Sequence, residues 1–137
     1  MFDSKTIKKY EKVTLPKLIE RATKYFNRFI RKRDSEDGWF RCISCGDHKS
    51  LDAIQAGHYL SAGHNGAVRF DERNVHGQCI RCNMYLSGNL LPYRENLIQK
   101  IGLSEVEAIT QKSQMRGFKW DRFALIDLIE EYKKKSK

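Results

Sequence analysis

The sequence predicts an α+β fold, and three observations carry that prediction. Apolar residues at helical spacing dominate the first third of the chain, a glycine- and turn-rich centre follows, and further helical patterns come after it. The third observation is a pair of Cys-x-x-Cys elements, Cys42 with Cys45 and Cys79 with Cys82, which bracket the centre. The expected architecture is therefore a small, metal-closed core of short strands flanked by several α-helices. At 137 residues with 40% hydrophobic content, the chain fits one domain. Within it the sequence divides into a basic helical arm over 1–37, the cysteine-bracketed core over 38–90 and helices over 91–137.

Each element has a local reason. Leu15, Leu18, Ile19, Ala22, Tyr25, Phe26, Phe29 and Ile30 recur at helical spacing behind Thr14 and Pro16, which suit an N-cap and an early helical position. A helix is expected over about 15–33. Its other face carries Lys17, Arg21, Lys24, Arg28, Arg31 and Lys32, and "SEDG" ends it. From 38 to 82 the signals are short strands, glycines and polar turns, with "AGHNGA" as a loop. "NLLPYRENLIQKIG" restarts a helix around Pro92 that stops near Gly102. "SEVEAITQKSQ" and "DRFALIDLIEEYKKK" give two more, and the final "KKKSK" is expected to fray.

The formal charge of +9 is unevenly spread. Residues 1–41 carry 12 Lys and Arg against 6 acids, 42–115 carry 7 against 7, and 116–137 carry 7 against 4. Basic blocks around a neutral centre suit arms that grip a polyanion, because phosphate contacts supply most sequence-independent affinity for nucleic acid. A solvated surface of ordinary basic helices would leave the same pattern. No stretch approaches the roughly 20 apolar residues of a membrane span, and no early apolar run follows a charged segment. A soluble, cytoplasmic protein with no membrane partner is expected.

In a reducing compartment four cysteines serve metal binding better than disulfides. Each Cys-x-x-Cys turn lets two sulfurs reach one ion, so the two pairs read as a closed structural Zn²⁺ site of Cys42, Cys45, Cys79 and Cys82. The long gap between the pairs requires an insertion to loop out from the zinc.

That insertion contains "QAGHYLSAGHNGAVRFDERNVHGQC". A His closing a strand, an Asn ahead of the second cysteine pair and a polar residue just behind it are the marks of the HNH, or ββα-metal (His-Me finger), nuclease site. Here they are His58, Asn74 and Asn83, the HNN form. With the cysteine pairs, the pattern is similar to phage endonuclease VII. Through "CISCG", "AGHY", "RFDERNVHGQC", "CN", "SGNL" and "PYR" it resembles more closely still the NinG family, also called Rap in lambda-like phages. The resemblance covers residues 42 to about 103. It implies a zinc-stabilised ββα-metal core and a structure-selective endodeoxyribonuclease, like a crossover junction resolvase, cleaving branched DNA recombination intermediates such as Holliday junctions, D-loops and flaps. It also implies the cytoplasm of a bacterial host, for a phage or prophage protein.

The chemistry follows from the residue types. Phosphodiester hydrolysis needs a deprotonated water and a cation that neutralises developing charge. His58, with an ordinary pKa near 6.5, can be neutral and take the proton. Asn83 offers a hard oxygen one residue past a zinc ligand, suited to a catalytic Mg²⁺ or Mn²⁺, with helix capping as the alternative. The family pattern assigns Asn74 to bridging backbone groups and orienting His58. Many relatives place an Asp ligand directly before the base, but here that residue is Gly57. His76, expected on the strand opposite His58, is a candidate for the missing contact to metal or phosphate, with structural hydrogen bonding as its alternative. Asp52 is too far along the strand, and His48 and His64 are read as surface residues.

Arg69, Arg73, Arg81 and Arg94 form an expected phosphate-contacting rim, joined by Lys17, Arg21, Lys24 and Arg28 on the first helix. Two other functions compete with branched-DNA cleavage: a zinc-stabilised DNA-binding accessory to recombination without activity, and an HNH nuclease cutting plain duplex. Expected partners are branched DNA, a second copy in a homodimer, and a phage recombinase or single-strand annealing protein.

Overall fold

Residues 35–41 turn the chain from its longest helix into its first sheet, and they do so through a two-residue hairpin. Asp37 (φ 53°) and Gly38 (φ 85°) both take left-handed backbone, the geometry of a type I′ turn, for which Asp-Gly is a preferred pair. In this computed structural model, which describes residues 3–137, the turn joins β1 (Ser35–Glu36) to β2 (Trp39–Arg41). The "SEDG" segment therefore ends the helix by starting a hairpin. β3 (His48–Ser50) pairs antiparallel with β2, in register Arg41↔His48, completing a three-stranded sheet. The first cysteine pair lies in the β2–β3 connection.

A second sheet is the antiparallel pair β4 (Ile54–His58) and β5 (Val75–Cys79), in register from Ile54↔Cys79 to His58↔Val75. A five-residue π-helical turn, Arg81–Tyr85, follows β5 directly. Among the described residues the α-helices are α1 (Ser4–Tyr10), α2 (Leu15–Arg33), α3 (Leu90–Ile101), α4 (Leu103–Ser113) and α5 (Arg122–Lys135). The mixed α+β class and the four longer helices agree with the sequence reading. α1 was not foreseen, although Asp3 is a sound signal for it: its side chain caps the helix by accepting the Thr6 N–H at 2.9 Å.

The chain groups into two compact units, Ile30–Phe118 and Met1–Phe29 with Lys119–Lys137. These do not follow the divisions at 37 and 90 drawn from sequence, because α5 returns to the company of α1 and the first part of α2. That helical unit buries Tyr10, Leu18, Ala22 and Phe26 with Leu125, Ile126, Ile129 and Tyr132. The apolar stripe foreseen on the first helix is thus spent on an internal core. Phe26 meets Tyr132 edge-on at 5.0 Å. Lys17, Arg21 and Lys24 stay exposed on the opposite face. The "KKKSK" segment does not fray as expected: α5 continues to Lys135, Ser136 is buried, and its hydroxyl accepts Arg28 Nε–H at 2.8 Å.

The central unit has two small cores. Ile43, Val68, Tyr93, Leu97, Val106 and Ile109 pack α3 and α4 against one side, and Phe40, Cys42, Cys79 and Cys82 gather beside Ile54 on the other. The fully buried Tyr93 hydroxyl donates to the Gly57 carbonyl at 2.6 Å, pinning α3 to the end of β4. Among the described residues, no helix is long and apolar enough to cross a membrane.

Candidate functional site

The four cysteines come together as expected. One ligand atom from each of Cys42, Cys45, Cys79 and Cys82 lies within 4.8 Å of the other three. A tetrahedral ion with Zn–S bonds of about 2.3 Å would hold its sulfurs about 3.8 Å apart, and Cys45 Sγ stands 3.9 Å from Cys79 Sγ. N–H groups already aim at the sulfurs: Cys79 N donates to Cys42 Sγ at 3.3 Å, and Asn89 Nδ2 to Cys82 Sγ at 3.5 Å. Such donors stabilise thiolate charge and orient the ligands. Soft sulfur donors at this spacing fit a structural zinc.

His58 closes β4, and its ring is half-buried. Nε2 lies 2.9 Å from the Arg69 carbonyl oxygen, which can only accept, so the proton sits on Nε2 and Nδ1 keeps its lone pair. Burial, aided by the nearby Arg69 charge and opposed by that hydrogen bond, lowers the His58 pKa below its ordinary value. The ring is neutral at pH 7 with a basic nitrogen to spare.

Asn74 is fully buried just ahead of β5 and extends the two-stranded ladder beyond His58. Its carbonyl accepts Tyr59 N–H at 2.8 Å and its Oδ1 accepts Leu60 N–H at 2.8 Å. Its Nδ2 donates to the Leu60 carbonyl at 2.9 Å and the Val68 carbonyl at 3.2 Å. One carboxamide thus closes the 59–74 loop immediately after His58, the bridging contact that the family pattern assigns to it.

Asn83 lies inside the π-helical turn, whose N-cap is Ile80, so the capping alternative is not what the structure shows. Its Nδ2 donates to Gln55 Oε1 at 2.8 Å. Gln55 carries no signal in the sequence beyond sharing strand parity with Gly57, which puts it on the sheet face opposite His58. Gly57 itself has a steric reason. A Cβ there would stand 1.9 Å from Gln78 Oε1, whose fully buried side chain fills the space beside the glycine. Gln78 Nε2 donates to Ser44 Oγ at 2.8 Å and the Gly88 carbonyl at 2.6 Å, while Oε1 has no hydrogen-bond partner. The buried Gln78 side chain fills the space that a side chain at 57 would need.

His76 lies on the strand opposite His58, as expected, but on the other face of the sheet, because register pairs it with Gly57 and pairs His58 with Val75. Its ring is 2% exposed, with Nε2 at 2.9 Å from the Arg73 carbonyl and Nδ1 facing Lys100 Nζ at 2.9 Å and Arg33 at 3.1 Å. Burial first, then the Lys100 and Arg33 charges, push its pKa down to about 4 despite Asp34 nearby. Both nitrogens are occupied, which favours the structural alternative. Arg73 is likewise committed, to Asp71 at 2.7 Å and Glu105 at 3.0 Å. Arg69 lies over the Phe70 ring, and Arg28 over that of Tyr25. Arg81 and Arg94 are exposed, and their guanidinium groups form no hydrogen bond or ion pair with another described residue. His48 and His64 are exposed, as read, although His48 opens β3 and does not lie in a loop; Asp52 is exposed too. A cavity of about 420 Å³, lined in part by Arg33, Asp34, Arg41 and Lys100, includes none of His58, Asn74 and Asn83.

Comparison with known proteins agrees with the sequence motifs. The chain is 40% identical over 119 residues to protein ninG of Salmonella phage P22, which covers 87% of this chain and 56% of that protein. It is 40% identical over 119 residues to protein ninG of Escherichia phage lambda, covering 87% and 55%. Against protein ninG of Escherichia phage 933W it is 46% identical over 91 residues, covering 66% and 43%. The chain thus spans about half the length of these curated relatives. No solved structure gives a significant match. Residues 3–137 match the family described as "Bacteriophage Lambda NinG protein", and the chain belongs to that family.

Proposed function

We propose that this chain is a metal-dependent endonuclease of the HNH, ββα-metal type that cleaves branched DNA. The observation that carries the reading is His58: a neutral ring at the end of β4, its Nε2 proton held by the Arg69 carbonyl and its Nδ1 free to take a proton. Asn74 fixes the loop behind it, and the turn bearing Asn83 follows β5 across the same sheet. In this reading β4, β5 and the Arg81–Tyr85 turn are the ββα unit, and the four sulfurs hold a zinc that keeps the turn in place.

In the reaction, His58 Nδ1 accepts the proton of the attacking water, and its Nε2–H stays on the carbonyl so that the ring does not rotate. A divalent cation would neutralise charge on the scissile phosphate and the leaving oxygen. The residue that would hold it is Asn83, through Oδ1, a hard oxygen donor suited to Mg²⁺ or Mn²⁺; its partner Gln55 shares the sheet face of Gly57 and His76, opposite that of His58. Position 57 offers no carboxylate, and a neutral donor leaves the phosphate to supply negative charge, which ties ion binding to substrate binding. Arg81, Arg94 and the exposed face of α2 supply phosphate contacts, with a recombinase or a second copy as further partners.

A second reading is a zinc-stabilised DNA-binding accessory without activity, and the absence of a carboxylate at position 57 favours it. One experiment separates the readings. The purified protein is incubated with Mg²⁺ or Mn²⁺ and matched duplex, flap and four-way DNA. Cleavage of the flap and four-way substrates is expected, with none by His58→Ala or Asn83→Ala, both keeping zinc and DNA affinity. Asn83→His should regain part of the activity with Mn²⁺. Cleavage by Asn83→Ala at the wild-type rate would remove Asn83 from the ion site, cutting of matched duplex alone would indicate an ordinary HNH nuclease, and no cleavage at all would leave the accessory.

A further inference from the structure

The Arg81–Tyr85 turn and the residues after it put an unusual amount of apolar surface into water. Of the 13 large hydrophobic residues exposed among the described residues, five fall between positions 84 and 91: Met84, Tyr85, Leu86, Leu90 and Leu91. That clustering is far denser than the scatter normal for a protein surface. Tyr85 is 78% exposed, Leu91 82% and Met84 62%. They belong to a built structure, because Leu86 N–H bonds Arg81 O, Gly88 N–H bonds Cys82 O and Asn89 N–H bonds Leu86 O. Ser87 (φ 50°) and Asn89 (φ 43°) hold left-handed backbone although neither is glycine. Such strain persists where a shape is needed. The turn is also tied to the cysteine cluster through Cys82 and Asn89, so the apolar residues are presented on a rigid base.

What covers this surface can be argued from its rim. Arg81 opens the turn and Arg94 lies one helical turn past Leu90 and Leu91; both are exposed, and neither guanidinium has a hydrogen-bond or ion-pair partner among the described residues. Exposed apolar and aromatic side chains next to positive charge without an ion-pair partner match a partner that offers apolar faces alongside negative charge. Nucleobases that have left the stack are such a partner: matched duplex buries their faces and shows only phosphates and groove edges. Proteins that hold DNA open insert Met, Leu and similar side chains between bases and stack aromatics on them.

We infer that Met84, Tyr85 and Leu91, rimmed by Arg81 and Arg94, form a binding surface for unstacked bases, with the Tyr85 ring as the stacking platform. Asn83 lies in the same turn, so a base held there brings the adjoining phosphates to the Asn83 side of the sheet. This inference rests on the proposed action on branched DNA for its biological sense, but its test reads binding and not cleavage.

The zinc-loaded 137-residue chain, without added Mg²⁺ or Mn²⁺, is titrated with a single strand, a matched duplex of the same length, and a four-way junction bearing 2-aminopurine at the branch. The wild-type chain should quench the 2-aminopurine fluorescence and prefer the single strand and junction over duplex. Tyr85→Ala with Leu91→Ala should weaken binding to those two about tenfold, abolish the quench and leave duplex affinity unchanged. Tyr85→Trp should retain both affinity and quench, and the wild-type melting temperature in the paired variant shows that it folds. Equal weakening on all three substrates, or none, would overturn the inference. So would a change from dimer to monomer on sedimentation of the paired variant, which would give the surface to a second copy. Failure of wild-type protein to bind DNA would overturn this inference and the proposed function together. Cleavage of branched DNA with no altered preference in the paired variant would overturn this inference alone.

Discussion

The two units of this chain are stabilised by different means. In the helical unit, Leu18, Ala22 and Phe26 on α2 face Leu125, Ile126, Ile129 and Tyr132 on α5, and burial of ordinary side chains accounts for the packing. In the central unit the strands are at most five residues long, and polar groups act where a larger core would. Asn74 closes a loop, Gln78 ties Ser44 to Gly88, Asp34 accepts the Gly77 N–H at 2.7 Å, and four sulfurs converge. The difference teaches that solution conditions which spare one unit should damage the other, since thiolates and buried titratable groups respond to metal and pH while aliphatic contacts do not.

The largest effect that would sharpen this contrast is removal of the zinc proposed for the four sulfurs. Chelation, or Cys82→Ser, should cost the central unit on the order of 10 kcal/mol. Hydrogen exchange should then show β4 and β5 amides losing protection, while amides in the first half of α2 and in α5 keep theirs. Equal loss in both units would break the comparison.

Acid should act next. The unfolded chain carries His76 with a pKa near 6.5, but the folded chain holds it at about 4, because its ring lies buried beside Lys100 and Arg33, which outweigh the Arg73 carbonyl and Asp34. Below pH 6.5 the unfolded state binds a proton that the folded state refuses. Stability from this group is therefore complete above pH 6.5 and declines as pH falls towards 4, by on the order of 3 kcal/mol. Asp34, held down to about 2 by Arg33, Lys100 and Gly77 against its burial, carries the opposite charge and yields only below pH 4. Urea titrations across this range should lose their slope between pH 6.5 and 4 in His76→Asn. A persistent slope would assign it to other groups.

A smaller effect tests the close packing of the sheet. Gly57→Ala should destabilise the chain by about 2 kcal/mol, because the new methyl group meets the Gln78 carboxamide. Gln78→Ser, costly alone, should offset part of that loss when combined with it. Additive melting temperatures would refute the coupling.

What was legible in the sequence tracks how local the cause is. Periodicity over 15–33 gave α2 its observed limits, and Gly102 ended α3 where expected, because helix spacing and stop signals act within a few residues. The cysteine spacing foretold a convergent cluster, since each pair needs only its own turn. Strand register was beyond reach. His76 and His58 could be placed on opposing strands, but a shift of one residue decides whether their rings share a face, and no local signal fixes that shift. The same limit hid Gln55, whose meeting with Asn83 depends on how the π-helical turn lies across β4. It also hid the ion pairs of Arg73, whose partner Glu105 stands 32 positions away.

Arg122 has a further consequence. Its guanidinium donates to the backbone carbonyls of Tyr10, Glu11 and Val13, closing the chain just after α1 from more than a hundred residues downstream. During synthesis those carbonyls must wait, together with the apolar stripe of α2, until α5 has been made. Residues 30–118 form one uninterrupted stretch and face no such delay. They can take up metal and fold while the helical unit is still half translated, which makes the helical unit the last to assemble.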